Sequence, residues 1–472
     1  INASTDAAVG GNLNVTATTG NITQGRAVTV GGTSSFTTSA NNAAIWLYTT
    51  TNAFTGAITL STTGSSAHAN IDGGTTALNI GASSVGGNLY LTTGNNITDS
   101  GTLTVGGRLR ATTNANNGLI NLGTLAVDGT VQLTTNGSGN ATVVNDAGLN
   151  FAASTVRNLA ATATTGNIVD SGVLTIAGTS SFTTSQNNAD ITLNNTNALT
   201  GTVALNTSGS GNALIDNGIT ALNLATSTVG GNLTLTSGHY IIDSSTVTVG
   251  GNLVATTDAA NGSIHMDGLR VDGTVQLTTN GTGNATVVND AGLTFAASTV
   301  GGALNATATT GNISDSGDLT ITGATTFITG ASGSNIVLDS SGNAFSNAVT
   351  LQADAGNEVF GNITFVDSAA VNLNSSASAD GDLYINASTD GAVGGNLNIT
   401  ATTGNITQGV ALAITGTSSF TTSANNATIA LDTTTNAFTG AVTITTNDDT
   451  GTDADVTIDG GTTALILAAS TI

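Results

Sequence analysis

Residues Val127–Asp146 read VDGTVQLTTNGSGNATVVND and return almost unchanged as Val271–Asp290, VDGTVQLTTNGTGNATVVND, after an offset of 271 − 127 = 144 residues. Apolar Val, Leu and Ala alternate with mostly polar residues in each copy, and glycines separate the runs. A period of two is typical of strands with one buried face, and repetition at a fixed distance is typical of solenoids. The stretch therefore predicts strands that stack on copies of themselves.

A longer repeat surrounds this one. Ile1–Asn14 (INASTDAAVGGNLN) returns as Ile385–Asn398 (INASTDGAVGGNLN), and the offset is 385 − 1 = 384 residues. We therefore expect a 384-residue super-repeat that restarts at residue 385, with the 144-residue sub-repeat inside it. A second copy that begins and then stops leads us to expect a segment of a longer repetitive protein.

A shorter repeat lies within these blocks. An aliphatic or Phe residue, usually followed by Gly-Gly or Thr-Gly, opens each unit, and the openings from Val9 to Val300 have a mean spacing of about 24 residues. The spacings are unequal: steps of 20, 22 and 29 residues follow one another from Val85 to Val156. This short repeat of unequal spacing indicates solenoid coils whose loops differ in length.

Strand patterns recur along the chain, and helix formers are scarce. In Gly11–Thr18 (GNLNVTAT) the apolar residues alternate with Asn and Thr, and the whole sequence has no Lys, one Glu and one Met. Asn, Thr, Ser and Gly favour turns and caps over helix interiors. No linker or change of composition marks a domain boundary. We expect an all-β parallel β-helix (β-solenoid) of about twenty coils of about 24 residues, without significant helix, as one continuous domain over residues 1–472.

The charge and the cysteine count exclude several classes of protein. The formal net charge is −23, and the five basic residues are scattered arginines, so nucleic acid and anionic membrane surfaces are repelled. Cysteine is absent, which excludes disulfides and thiolate metal sites. No apolar run approaches eighteen residues, and membrane insertion is not expected.

The pattern VGGNL…TATTGNIT…GTSSFTT, which runs through residues 9–38, resembles the repeat region of bacterial filamentous-haemagglutinin-like exoproteins and autotransporter-type adhesins. The resemblance covers essentially the whole chain. It implies a right-handed parallel β-helix that is secreted and exposed at the cell surface, as the shaft of an adhesin or as the body of an extracellular filament or sheath. We therefore expect a structural, non-enzymatic protein.

Two other functions stay open as alternatives. A carbohydrate-binding or carbohydrate-cleaving β-helix would need clustered carboxylates and cations, whereas His68, His239 and His265 are isolated and only His265 has an acid close by, Asp267. An ice-binding solenoid would need a regular Thr-x-Thr array. Thr16–Thr18 has that form, but the coil lengths vary. We expect no catalytic residue.

Three sets of recurring residues have predicted structural roles. Phenylalanines in a shared (S/T)(S/T)F context are expected in the core at a wide corner of the coil. They are Phe36, Phe182, Phe327 and Phe420. Asparagines after a Gly pair are expected to form a hydrogen-bonded ladder between coils. They are Asn12, Asn88, Asn232, Asn252 and Asn396. Aspartates at two recurring positions are expected to close Asx turns. The first set, which comes after GN(N)I-type strands, is Asp99, Asp170, Asp243 and Asp315, and the second set, in the motif ID(G/N)G, is Asp72, Asp216 and Asp459.

One acidic segment stands apart. Asn447–Asp455 (NDDTGTDAD) is three residues longer than its counterpart, and Asp448, Asp449, Asp453 and Asp455 are candidate Ca²⁺ ligands, with a solvated acidic loop as the alternative. No other cofactor is expected. The expected partners are further repeats of the same chain or identical subunits stacked end to end, with lateral self-association as another route.

Overall fold

A computed structural model describes residues 8–353, 361–373, 382–385, 392–447 and 454–472. These residues form strands, turns and bends, and no helix long and apolar enough to cross a membrane occurs among them. The chain divides into two compact units, Ile1–Asn232 (unit 1) and Leu233–Ile472 (unit 2), which are described in turn. The single continuous solenoid over residues 1–472 stays a prediction.

The described part of unit 1 contains short strands joined by turns. Their bounds are Ala8–Val9 (β1), Leu13–Ala17 (β2), Ile22–Thr23 (β3), Thr29–Val30 (β4), Ser34–Thr38 (β5), Ile45–Leu47 (β6), Ala53–Phe54 (β7), Ile58–Ser61 (β8), Ala69–Asp72 (β9), Leu78–Ile80 (β10), Ser83–Val85 (β11), Leu89–Thr93 (β12), Ile97–Asp99 (β13), Leu103–Val105 (β14), Leu109–Asn116 (β15), Ile120–Val127 (β16), Thr130–Asn136 (β17), Ala141–Asn145 (β18), Leu149–Phe151 (β19), Ser154–Val156 (β20), Leu159–Ala163 (β21), Ile168–Asp170 (β22), Leu174–Ile176 (β23), Ser180–Asn187 (β24), Ile191–Leu193 (β25), Ala198–Leu199 (β26), Thr202–Ser208 (β27), Ala213–Asp216 (β28), Leu222–Leu224 (β29) and Ser227–Val229 (β30).

Each coil of unit 1 lays its strands in parallel on those of the next coil. Strands β13, β14 and β15 form one coil, and the next coil continues them as β16, which pairs with both β13 and β14, and β17, which pairs with β15. The separation along the chain between paired residues ranges from 18 positions, for Ala141 and Leu159, to 24 positions, for Ser34 and Ile58. The strands alternate buried and outward residues, which is why the sequence has a period of two.

The step from Val127 to Val156 is not a coil, contrary to the expectation from the sequence. Val127 pairs with Val105 in one sheet, whereas Val156 pairs with Ile176 in another sheet. The aliphatic residues that open successive units therefore change from one column of strands to another between Val127 and Val156. A step that passes to another column is longer than one coil. The mean spacing of the openings therefore exceeds the coil length, which is about 21 residues.

Unit 2 repeats this arrangement. Its described strands are Leu233–Ser237 (β31), Ile241–Asp243 (β32), Val247–Val249 (β33), Leu253–Ala260 (β34), Ile264–Val271 (β35), Thr274–Asn280 (β36), Ala285–Asn289 (β37), Leu293–Phe295 (β38), Ser298–Val300 (β39), Leu304–Ala308 (β40), Ile313–Asp315 (β41), Leu319–Ile321 (β42), Thr325–Thr329 (β43), Ile336–Leu338 (β44), Ala344–Phe345 (β45), Val349–Gln352 (β46), Ile363–Asp367 (β47), Val371–Leu373 (β48), Asp382–Ile385 (β49), Ala392–Val393 (β50), Leu397–Ala401 (β51), Ile406–Gln408 (β52), Ala413–Ile414 (β53), Ser418–Asn425 (β54), Ile429–Leu431 (β55), Ala437–Phe438 (β56), Val442–Asn447 (β57) and Val456–Ile458 (β58).

The two copies of the duplicated sequence have the same strand pairing. In unit 2, β34 pairs in parallel with β31 and with β36, just as β15 pairs with β12 and with β17 in unit 1. The register is preserved as well: Leu109 pairs with Val131 in unit 1, and the equivalent residues of the duplicated block, Leu253 and Val275, pair in unit 2. The predicted fold is therefore confirmed as an all-β parallel solenoid of about twenty coils.

The cores of both units consist mainly of Val, Leu, Ile, Ala and Phe side chains on the inward phase of the strands. Phe36, Phe182, Phe327 and Phe420 are at most 2% exposed, which confirms that they are core residues. They lie within strands β5, β24, β43 and β54, however, and not at a corner as expected from their sequence context. Edge-to-face contacts join rings of neighbouring coils, for example Phe36 and Phe54 with centroids 6.1 Å apart.

Candidate functional site

An asparagine that precedes a strand links its coil to the next coil. In unit 2 the Oδ1 of Asn312 accepts the backbone N–H of Asn335 at 2.8 Å, Asn335 accepts that of Asn362 at 2.7 Å, and Asn362 accepts that of Asn396 at 2.8 Å. Asn396 in turn accepts the N–H of Thr417 at 2.8 Å. Each amide thereby satisfies a backbone donor at a turn, where strand pairing does not reach it.

The residues predicted for the asparagine ladder take part in these contacts. Three more of them accept a backbone N–H from the following coil: Asn12 from Thr33, Asn88 from Arg108, and Asn252 from Thr274. Asn232 takes part through its backbone N–H, which donates to the Oδ1 of Asn212 at 2.8 Å. The ladder thus joins side chains to backbone groups, whereas the sequence suggested stacked side-chain amides.

A second kind of asparagine lies inside the coil. Asn145 is fully buried, and its Oδ1 accepts the N–H of Val127 at 2.8 Å while its Nδ2 donates to the carbonyl oxygens of Val127 and Gly148 at 3.0 and 2.7 Å. Asn289 makes the equivalent three hydrogen bonds in unit 2. This pair was not predicted from the sequence. The available signal was an Asn on the apolar phase of the strand, after Ala141 and Val143.

The aspartates of the first set end strands β13, β22, β32 and β41, and they bridge coils. The carboxylate of Asp99 accepts the backbone N–H groups of Gly123 at 3.0 Å and of Thr124 at 2.8 Å, 24 and 25 residues further along the chain. Asp170, Asp243 and Asp315 accept backbone N–H groups at the same separations. The predicted Asx turn is therefore wrong for this set. A carboxylate here caps two N–H groups of the next coil, and Gln24 or Gln408 occupies the same place in other coils.

Within this set, the carboxyl of Asp243 has a raised pKa. Burial raises the pKa of its carboxyl from the ordinary value of 3.8, the N–H groups of Gly268 and Asp267 lower it, and the negative charge of Asp267 raises it. Desolvation is the largest of these effects. The net direction is upward, so the ionised carboxylate of Asp243 is less favourable in the folded chain than in water.

The aspartates of the ID(G/N)G motif do close Asx turns, as predicted. The Oδ1 of Asp72 accepts the N–H of Gly74 at 2.7 Å, two residues on. Asp216 and Asp459 make the same contact with Gly218 and Gly461.

Turns in the left-handed region, which were not predicted from the sequence, have an asparagine in one coil and a glycine at the equivalent position of the next coil. Asn117 has φ +67° and accepts the N–H of Ser138 at 3.0 Å, and Gly137 occupies the neighbouring coil at φ +63°. Asn adopts this region more readily than most residues with a Cβ because its side chain is short and polar, and Gly adopts it because it has no Cβ.

The candidate Ca²⁺ ligands fall mostly in a part of the chain that the structure does not describe. Asp448, Asp449 and Asp453 lie outside the described residues. Asp455 is described and exposed, and its backbone carbonyl accepts the N–H of Ile429 at 3.2 Å. Within the described residues no three His, Cys, Asp or Glu side chains are grouped to hold a metal ion. The Ca²⁺ site stays a prediction.

The three histidines lie at separate places. The Nδ1 of His68 accepts the N–H of Asn88 at 2.9 Å and so occupies an asparagine position of the ladder. The ring of His239 contacts that of Tyr240, and the Nε2 of His265 lies 3.5 Å from the Oδ2 of Asp267 with both side chains more than half exposed.

The outward Thr residues do not form a uniform array in unit 1. Thr162 pairs with Val144 on one side and with Thr183 on the other, and Thr183 pairs with Asn206. A column that mixes Val, Thr and Asn lacks the regular spacing of hydroxyls that an ice-binding surface requires.

Parallel coils, inward aliphatic columns and turn ladders define the class: a β-solenoid repeat protein. The chain belongs to the family described as Repeats of unknown function (DUF5649), whose model matches residues 2–61, 66–134, 138–206, 210–278, 282–352 and 360–445. Four successive matches begin at 66, 138, 210 and 282, in equal steps of half the duplicated block. No curated protein and no solved structure matches the chain.

Proposed function

We propose that this repeat protein is a structural, non-enzymatic segment of a large secreted bacterial surface protein, forming the shaft of an adhesin or the body of an extracellular filament or sheath. The observation that carries the proposal is the repetition of one set of contacts from coil to coil. Further repeats of the same chain, or identical subunits, are the partners that this function requires.

The coil-to-coil contacts suit a load-bearing element. Strand pairing, the Asn312–Thr417 ladder and the carboxylates of Asp99 and Asp170 all join one coil to the next, so each coil is held by backbone hydrogen bonds and by side-chain caps. Repeat stability of this kind is a sum over coils and their interfaces. A chain of such coils lengthens by duplication without a new core.

The disposition of the acidic residues supports a non-enzymatic role. General acid–base chemistry needs carboxyl groups directed at a substrate. The carboxylates of Asp99, Asp170 and Asp315 instead point at backbone N–H groups of the next coil, and Asp72 closes its own turn. Their roles are accounted for by the fold.

Localisation and shape test this proposal together. Antibodies against the chain should label intact cells of the source organism as strongly as lysed cells, and electron micrographs of the labelled material should show rods or an ordered polymer. Label confined to lysed cells, or compact isolated particles at the surface, would refute it. Turnover of a polysaccharide by the purified chain, abolished by one Asp→Asn change, would refute the non-enzymatic part.

A further inference from the structure

One outward column of unit 1 differs in chemistry from the Thr, Ser and Asn that cover most strands. Trp46 of β6, Asn70 of β9, Tyr90 of β12, Arg110 of β15 and Gln132 of β17 are consecutive partners in the parallel register. We call these five residues the Trp46 column. Three residues flank it on the turn side, one position before their strands: His68, Asn88 and Arg108.

The column gathers residue types that are rare in this chain. The whole sequence has one Trp, four Tyr, five basic residues, all Arg, and three His. The Trp46 column and its flank hold the Trp, one Tyr, two of the Arg and one His. A further tyrosine, Tyr48, lies two residues after Trp46 and is 60% exposed.

Hydrogen bonds and a ring contact position several of these side chains. The Nδ2 of Asn88 donates to the hydroxyl of Tyr90 at 3.1 Å, and the backbone N–H of Asn88 donates to the Nδ1 of His68 at 2.9 Å. The rings of Trp46 and His68 make an edge-to-face contact with centroids 6.5 Å apart. The Nε of Arg108 donates to the Oγ1 of Thr130 at 3.3 Å. Positioned side chains lose less freedom when a ligand binds than mobile ones do.

Comparison with the duplicated coils shows that the fold does not require the aromatic and cationic residues of this column. At four of the five positions the coils with the same inward residues carry other outward residues: Thr192 in place of Trp46, Leu214 in place of Asn70, Thr234 in place of Tyr90, and Val254 in place of Arg110. Gln132 is retained as Gln276. The inward residues of β12, Leu89 and Leu91, correspond to Leu233 and Leu235. The solenoid therefore folds around the same core without aromatic or cationic outward residues, and packing does not explain them.

The arginines give the column a local charge opposite to that of the chain. Arg108 and Arg110 are exposed, and neither is part of an ion pair with a carboxylate among the described residues. In a chain of net charge −23, two unneutralised guanidinium groups beside aromatic rings attract an anion with a defined position. Two cations are too few for a nucleic acid backbone.

We propose that the Trp46 column binds an acidic oligosaccharide that lies across successive coils. Trp46 and Tyr90 are two strands apart, about 10 Å, and present ring surface to the apolar faces of sugar rings. Asn70 carries an amide donor and acceptor for sugar hydroxyls, and Gln132, whose Nε2 donates to the carbonyl oxygen of Ala153 at 3.0 Å, offers its amide oxygen as an acceptor. Arg110 and Arg108 pair with sugar carboxylates in charge-assisted hydrogen bonds. This binding function goes beyond the structural role and does not depend on it.

The intrinsic fluorescence of the full chain provides a direct assay, because Trp46 is its only tryptophan. Oligogalacturonides and hyaluronan oligosaccharides serve as acidic probes, and methyl-esterified oligogalacturonides serve as the matched uncharged ligand. We expect at least one acidic probe to change the tryptophan emission saturably, and the methyl ester to bind about tenfold more weakly. Failure of every acidic probe to bind, or equal binding of the ester, would overturn the proposal.

The duplicated coils supply the variants. Tyr90→Thr and Arg110→Val introduce the residues that stand at 234 and 254, so both should fold with an unchanged circular dichroism spectrum, and each should weaken binding about tenfold. Tyr240→Thr and Arg270→Ala are the matched controls elsewhere on the chain and should bind as the unaltered chain does. Binding that survives Tyr90→Thr together with Arg110→Val, or that is lost equally in the controls, would overturn the assignment of the site.

Discussion

Replacing Asn145 by Asp tests the claim that buried amides stabilise the turns. The substitution keeps the shape and the acceptor for the N–H of Val127, but it removes the Nδ2 protons that now reach the carbonyl oxygens of Val127 and Gly148. At neutral pH a buried carboxylate then faces two carbonyl oxygens. Each unsatisfied buried group costs about 1–3 kcal/mol, and the unpaired charge adds to this, so we expect a local loss of about 4 kcal/mol.

The loss should depend on pH. Contact with two carbonyl oxygens and burial raise the pKa of the new carboxyl at position 145 above its value of about 3.9 in the unfolded chain. Stability is therefore highest with the carboxyl protonated and is lost as the pH rises through the folded-state pKa. In acid the protonated group donates one of the two missing hydrogen bonds, and the deficit should fall to about 2 kcal/mol.

Hydrogen exchange followed by mass spectrometry can measure this local deficit on strands β16 and β18. The control is Asn121→Asp, the same chemical change at an exposed outward position of β16. Asn289→Asp should reproduce the effect in unit 2. If Asn145→Asp lies within about 1 kcal/mol of the control at pH 7, or if its deficit is the same at pH 4 and pH 7, the reasoning about buried amides is refuted.

Three further outcomes are expected. Gly230→Ala should destabilise unit 1 by about 2–3 kcal/mol, because the added Cβ would overlap the carbonyl oxygen of Gly209, whereas Gly123→Ala, with no atom near its Cβ, should be neutral in thermal unfolding. Phe182→Ala should cost about 3–5 kcal/mol in denaturant unfolding, because the ring is fully buried; a cost below about 1 kcal/mol would contradict its place in the core. The carboxyl of Asp243 should titrate above 3.8 by carbon NMR, so its contribution to stability should decline as the pH rises from 3.8 to its folded-state pKa; a value at or below 3.8 would show that the N–H donors outweigh burial.

Local patterns in the sequence predicted local features of the structure well. The period of two predicted the strands, the (S/T)(S/T)F context predicted buried rings such as Phe36, and the ID(G/N)G motif predicted the turn at Asp72. Each of these depends on residues within a few positions of one another. The same reasoning held for the fold class, because a repeat is visible without knowing which coil touches which.

Features that depend on the register between coils were not predictable in this way. Asp99 looks like a turn residue locally, yet its partners are Gly123 and Thr124 in the next coil. Val127 and Val156 look like equivalent openings, yet they belong to different sheets. The Trp46 column was missed for the same reason, since its members are separated by a whole coil of sequence and meet only when the coils stack.

The narrow range of pairing distances along the chain of unit 1 has a consequence for how such chains fold and evolve. The entropy of closing a loop depends on its length, and the described pairings within unit 1 join residues no more than 24 positions apart. A nascent coil needs only the previous coil as its template, so synthesis and folding can advance together and a copied block adds no slower step. A lineage can therefore enlarge such a protein by copying, and a copy whose core is already satisfied can acquire new outward residues while the original keeps its own.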